Sequence, residues 1–319
     1  MDELERSGHL KKTKLRRVGK RIMGAALLVS VLFGNAKISR ADAVMDEADT
    51  SFEPYIAFGA DLKADEKSTV MKLLGVEESE LGNYKVVEIT NQDEHDYLDE
   101  YMSADVIGTR ALSSVLVVKQ EEDHGIGVET HNISYCTSGM YCNALVTAGI
   151  NDAEVVVAGP FDISGTSALV GAMKAYGVMT GKEISKDTMD TATNELVATG
   201  ELEEEIGSAE DAEKFIAAIK SRVVEKDLKS AEDISEAVEE IASDMDISIS
   251  EDQKEKITKL MQKISELDLD IDQLKEQASA VYDKLSELAS DSDSFLGKIA
   301  AFFKNLFQAI ADFFANLFN

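Results

Sequence analysis

The stretch Ala158–Gly177, AGPFDISGTSALVGAMKAYG, decides the fold. It follows the β-branched apolar run Glu154–Ala158 (EVVVA), which suits a buried strand, and it leads into Thr166–Tyr176, which has helical composition. Gly, Pro and Ser punctuate the join, so the segment reads as strand, turn and helix. Ser164 or Thr166 is expected to cap the helix, while Gly165, Ala168, Gly171, Ala172 and Ala175 give it a small-residue face for close approach to a sheet. As a phosphate cradle the turn lacks a base. The first cation, Lys174, lies well down the helix, and Asp162 puts a negative charge at the mouth. The Gly-x-Ser-x-Gly nucleophile elbow is absent as well. What stays open is a packing unit, or a small ligand held at Ser164, Gly165 and Thr166.

Outward from this unit, Val86–Ile89, Ser114–Val118 and Ile126–Ile133 also read as strands, with helical stretches at Asp65–Leu74, Asp93–Tyr101 and Tyr141–Ala148. The His124-Gly125 turn predicts a hairpin between the Ser114 and Ile126 strands. Residues 44–182 therefore form an α/β (or α+β) sheet domain. Residues 183–290 lose the strand signal and become an acidic all-α helical module. Ser208, Ser230 and Ser250 each stand three residues before Asp211, Asp233 and Gln253, the signature of a capped helix start. Ile257, Leu260, Ile264, Leu267, Ile271 and Leu274 then space out as a helix packed along a neighbour. Two acidic runs, from Asp244 and from Asp268, imitate calcium loops. Ile249 and Gln273 stand where the turn glycine belongs, so both read as solvated helix ends and no metal site is expected.

The first 43 residues read as an export signal. A basic segment, Lys11 to Arg21, precedes the short apolar run Ile22–Gly34, and Ala41-Asp42-Ala43 offers a small-x-small cleavage site. Cleavage there leaves Val44 first and places the protein outside the cytoplasm, secreted or peripheral on the outer face of the cytoplasmic membrane. The leader takes 10 of 32 basic and 4 of 61 acidic residues, so residues 44–319 carry a formal net charge of −35. That field repels nucleic acid. His95, His124 and His131 match no compact metal or triad spacing, so no catalytic residue and no cofactor are expected. Cys136 and Cys142 flank a strand-to-helix join; with Ser138 as cap they fall close to the staple positions, and an oxidising compartment favours a disulfide.

The chain ends in FLGKIAAFFKNLFQAIADFFANLFN, Phe295 to Asn319. At a helical turn angle Phe295, Leu296, Ile299, Phe302, Phe303, Leu306, Phe307, Ile310, Phe313, Phe314, Leu317 and Phe318 share one arc, opposite Lys298, Lys304, Asn305, Gln308, Asp312 and Asn316. Residues 295–318 form an amphipathic helix. Spanning a bilayer would cost about 2.5 to 3.5 kcal/mol for each charge near its centre. The Phe-rich face is left to a membrane surface, an envelope protein, a second copy, or the protein's own helices.

Several separated blocks, in order, resemble the domain of unknown function 1002 family, the YpuA-like exported proteins of Gram-positive bacteria. They are Gly59-Ala-Asp-Leu62, Asn143 to Gly149, Val157-Ala-Gly-Pro-Phe161, Ser164-Gly-Thr166, Met173-Lys-Ala-Tyr176 and Leu267 to Gln277. The resemblance implies an exported protein with no established activity, supplies no catalytic residue, and does not extend to the cysteine pair. The expectation is a non-enzymatic cell-envelope protein acting through its C-terminal helix. The alternative is an extracellular hydrolase or small-ligand-binding domain using the Ser164-Gly165-Thr166 turn.

Overall fold

The computed structural model describes residues 51–122, 124–181, 183–267 and 269. The leader 1–43, the amphipathic segment 295–318, and Ile271 and Leu274 lie outside the described residues.

Five strands form one mixed sheet: β1 (Tyr55–Gly59), β2 (Lys85–Ile89), β3 (Ser114–Lys119), β4 (Ile126–Ile133) and β5 (Ala153–Ile163), in the order β2-β1-β3-β5-β4. β1 runs parallel to β2 and β4 runs parallel to β5, while β3 is antiparallel to both β1 and β5. Four strands thus point one way, and their carboxyl ends share an edge with the amino end of β3.

The hairpin expected at Gly125 does not form, although the turn is there with φ +77°. β5 inserts between β3 and β4. Its core Val155, Val156, Val157 and Ala158 is buried on both faces, whereas most residues of β4 are only half-buried. A continuous apolar run gains most in the sheet interior, and an alternating one tolerates the edge. The fully buried β1 (YIAFG) is a strand that the sequence reading missed.

The described residues also hold nine α-helices, α1 (Ala64–Leu74), α2 (Asn91–Leu98), α3 (Ala104–Ile107), α4 (Ser138–Thr147), α5 (Thr166–Thr180), α6 (Lys186–Ile206), α7 (Ala209–Glu225), α8 (Ala231–Asp244) and α9 (Glu251–Ser265), and a 3-10 helix at Glu78–Asn83. Strand alternation divides the core. Ile56, Phe58, Leu116, Val118 and Val156 meet Val70, Met71 and Leu74 of α1 on one face. Tyr55, Ala57, Val115, Val117, Val155 and Val157 meet α2, α4, α5 and α6 on the other. Gly171 lets α5 lie against the sheet, because a Cβ there would sit 2.9 Å from that of Ala57. A second apolar cluster joins α6 to α9, with Phe215, Ile219, Ile241, Ile257, Leu260 and Ile264 wholly or nearly wholly buried. Each such side chain contributes about 1.5 to 3 kcal/mol. Ser208, Ser230 and Ser250 cap α7, α8 and α9, each accepting the backbone N–H three residues on. Among the described residues no helix is long and apolar enough to cross a membrane.

α6 belongs to both clusters, giving Met189, Ala192 and Leu196 to one and Ala198 and Leu202 to the other. At this crossing lies a buried polar group. Lys220 Nζ of α7 is 2.9 Å from Glu195 Oε1 of α6, and donates to the Asn143 carbonyl at 3.0 Å and Thr147 Oγ1 at 3.2 Å on α4. Thr147 in turn donates to Glu195 Oε2. Both charged side chains are fully buried, so removing one strands the other in a dry interior. Lys220→Met is expected to lower unfolding stability by about 3 to 5 kcal/mol. Lys220→Met with Glu195→Leu should recover most of that, since Thr147 can then bond the Asn143 carbonyl of its own helix. Urea unfolding of the three proteins at neutral pH measures both effects.

Candidate functional site

The carboxyl ends of parallel strands, where helices begin, are where α/β sheets place ligands. Here that edge gathers the end of β1, the Asn91 end of α2, the amino end of β3 and the turn from β5 into α5. Pairing with β3 ends at Ala158, so Gly159–Ile163 run on beside β4 alone. A register shift between His131 and Ile133, with Asn132 at φ 55° donating to the Gly159 carbonyl at 3.0 Å, bends this ribbon and leaves Phe161 exposed.

The turn into α5 is capped differently from the sequence expectation. Gly165 is the N-cap, at φ +100°, and has no side chain to offer. The cap comes from across the sheet: the Ala168 N–H donates to Ser113 Oγ at 2.9 Å, and Ser167 Oγ donates to the Ser113 carbonyl at 3.0 Å. A side chain at position 165 is doubly excluded. The φ is left-handed, and a Cβ would come 2.6 Å from the Tyr141 hydroxyl. That hydroxyl donates to the Gly165 carbonyl at 2.5 Å, and the Cys136 N–H donates to the Ser164 carbonyl at 3.0 Å.

Thr166 is freed from capping and faces α2. Its Oγ1 donates to Glu94 Oε1 at 2.6 Å, with Ser164 Oγ 3.3 Å from Thr166 Oγ1. Glu94 Oε2 accepts from Asn91 Nδ2 at 3.3 Å. Glu94 is 1% exposed, and burial pushes its carboxyl from 4.5 up to about 7, against the pull of the Thr166 and Asn91 bonds and the charge of His95. Of the three predicted candidates, Gly165 and Thr166 are buried and Ser164 is half-buried. The turn is thus a closed polar cluster of Ser164, Thr166, Glu94, Asn91, Tyr141 and Cys136.

The histidines are engaged elsewhere. His95 Nδ1 is 2.5 Å from Asp99 Oδ1, which raises the ring's affinity for its proton. His124 Nε2 is 3.1 Å from Glu154, and His131 Nε2 is 3.2 Å from Glu129. The base available to Thr166 is therefore Glu94, which the sequence reading did not single out. Its signal was an acid sharing the Leu98 face of α2, at a four-residue step.

Cys136 is buried and Cys142 half-buried, and the structure does not join them in a disulfide. The cap of α4 is Thr137, which accepts from the Met140 N–H at 3.1 Å, and not Ser138. The staple partner of Cys136 is then Tyr141, while the Cys142 thiol lies 4.0 Å from the Ile126 carbonyl. The buried Cys136 thiol is pushed up to about 12 by desolvation. The neighbouring helix also reaches this cap. Thr137 Oγ1 donates to Glu213 of α7, whose carboxyl is raised by burial, and Asn143 Nδ2 donates to the Glu213 carbonyl at 3.1 Å.

Residues 58–281 match the family described as Protein of unknown function (DUF1002). The uncharacterized protein YpuA of Bacillus subtilis (strain 168) is 37% identical over 263 residues, covering 82% of this chain and 86% of that protein. No solved structure matches the chain.

In native protein, alkylation is expected to modify half-buried Cys142 and to spare Cys136 until the chain unfolds. Peptide mass spectrometry reads both sites. Two cysteines that resist alkylation even after unfolding without reductant would reveal a disulfide instead.

Proposed function

We propose that this chain, which belongs to the DUF1002 family, is an exported, non-enzymatic cell-envelope protein that binds a membrane surface through its C-terminal amphipathic helix. The observation that carries the reading is the segregation of residues 295–318. At a helical turn angle its twelve Phe, Leu and Ile residues fall on the arc opposite Lys298, Lys304 and Asp312. Two cations against one acid free this segment from the repulsion that the acidic remainder feels at an anionic surface. The basic leader and Ala41-Asp42-Ala43 support export.

The closed state of the Ser164-Gly165-Thr166 turn supports a non-enzymatic role, since Thr166 and Glu94 are 2% and 1% exposed and bonded to each other. The alternative, an extracellular hydrolase or small-ligand-binding domain, draws on the same contact. Glu94 lies where a base for Thr166 would be needed, but a substrate would have to open the seam first.

Co-sedimentation with vesicles of zwitterionic and anionic lipid tests the reading. Protein 44–319 is expected to pellet with vesicles. A version ending at Ser294, and full-length protein carrying Phe303→Asp and Phe307→Asp, should stay in the supernatant with unchanged circular dichroism. Equal binding by all three, or loss of fold on truncation, would assign the tail to the protein's own core. Protein from its native host should begin at Val44 by intact mass.

A further inference from the structure

The last residues of the chain contain a repeat. IAAFFKNLFQ at residues 299–308 returns as IADFFANLFN at residues 310–319, and seven of the ten positions are identical. The offset is eleven residues. At about 100° per residue, eleven residues make three turns and about 20° more, so as a helix the second unit falls on the face of the first. Each unit brings one Ile, one Leu and three Phe to that face. The three differences, Ala301 against Asp312, Lys304 against Ala315 and Gln308 against Asn319, all fall on the polar side. The apolar face is kept and the charges are not. We propose, on the reading that this segment binds a membrane, that the two units are equivalent and enter a lipid surface in series, held by apolar insertion and not by headgroup charge.

The width of the face points to a surface rather than to a neighbouring helix. The apolar arc is about 160° wide, which a flat lipid surface covers in full and a single packed helix covers only along a narrower seam. The described body shows no open seat of that width. Among the described residues the exposed large apolar side chains are Val86, Phe161 and Val178, which stand on three separate elements, β2, β5 and α5. α6 to α9 already turn their apolar faces to one another.

Charge is a poor handle for the same segment. Residues 295–319 hold Lys298, Lys304 and Asp312, a net of 2 − 1 = +1, so residues 44–294 carry −35 − 1 = −36. An anionic surface attracts the one and repels the other. The second unit has no cation at all, yet it keeps every large apolar position of the first. Apolar insertion is the property that the two units share.

Flotation of residues 44–319 with vesicles of zwitterionic lipid, and of the same lipid with anionic lipid added, at low and high salt, tests the inference. The two vesicle types are expected to bind the chain within about fivefold of each other, the effect of one net cation, with little change in salt. Phe302→Asp with Phe303→Asp, Phe313→Asp with Phe314→Asp, and a chain ending at Gln308 should each weaken binding on the order of a hundredfold or more, the two double variants alike. Their urea unfolding midpoints should match that of the unmodified chain. If the unmodified chain binds neither vesicle, the membrane reading itself falls and this inference with it. Binding lost with one Phe pair only would leave the membrane reading standing and overturn the equivalence of the units. Binding that requires anionic lipid, or that high salt abolishes, would overturn apolar insertion and again spare the membrane reading. A lowered urea midpoint in the double variants would seat the Phe face on the protein's own helices and overturn both.

Discussion

Lys220 and Glu195 have no contact with solvent, and the packing of α6 and α7 against α4 depends on their staying together. An ammonium in a dry interior is tolerated only when it is paired and bonded, and here it donates to two oxygens of α4 and lies 2.9 Å from the Glu195 carboxylate of α6. Such an arrangement is more demanding than apolar packing, because it accepts one register of α6 and α7 against α4. The Glu213 contact at the α4 cap repeats the demand two turns away. The helical layer is thereby keyed to the sheet and cannot slide along it without stranding a charge.

The keyed α4 fixes the edge above it. Tyr141 reaches the Gly165 carbonyl and Cys136 reaches the Ser164 carbonyl, so the start of α5 is set by residues that belong to the α4 join. Ser113, at the amino end of the reversed strand β3, supplies the cap that glycine cannot. Thr166 is left over and turns to Glu94. The polar cluster at the carboxyl edge is therefore a by-product of strand direction: had β3 run parallel to its neighbours, Ser113 would stand at the opposite edge and α5 would need a cap of its own. The same enclosure that raises the Glu94 carboxyl leaves Thr166 and Glu94 bonded to each other and out of solvent, so burial argues for a structural role.

The sequence by itself determined the local features. The serine caps at 208, 230 and 250 follow from short-range geometry, as do the strand character of the Val155 run and the small-residue face of α5 that Gly171 brings against Ala57. The blocks shared with the family were legible in the same way, as ordered short motifs. The tertiary structure alone decided the rest. β1 is five residues ending in glycine, too short for periodicity to mark, and its burial comes from neighbours distant in sequence. The order of β3, β5 and β4 was settled by which strand gains most from the centre, a comparison among segments that no local turn contains. Glu94 met Thr166 across 72 residues, and Lys220 met Asn143 across 77, because a hydrogen bond between distant residues leaves no pattern in either neighbourhood. Periodicity and capping act over a few residues and can be read along the chain, whereas pairing of buried polar groups exists only once the chain has closed around them.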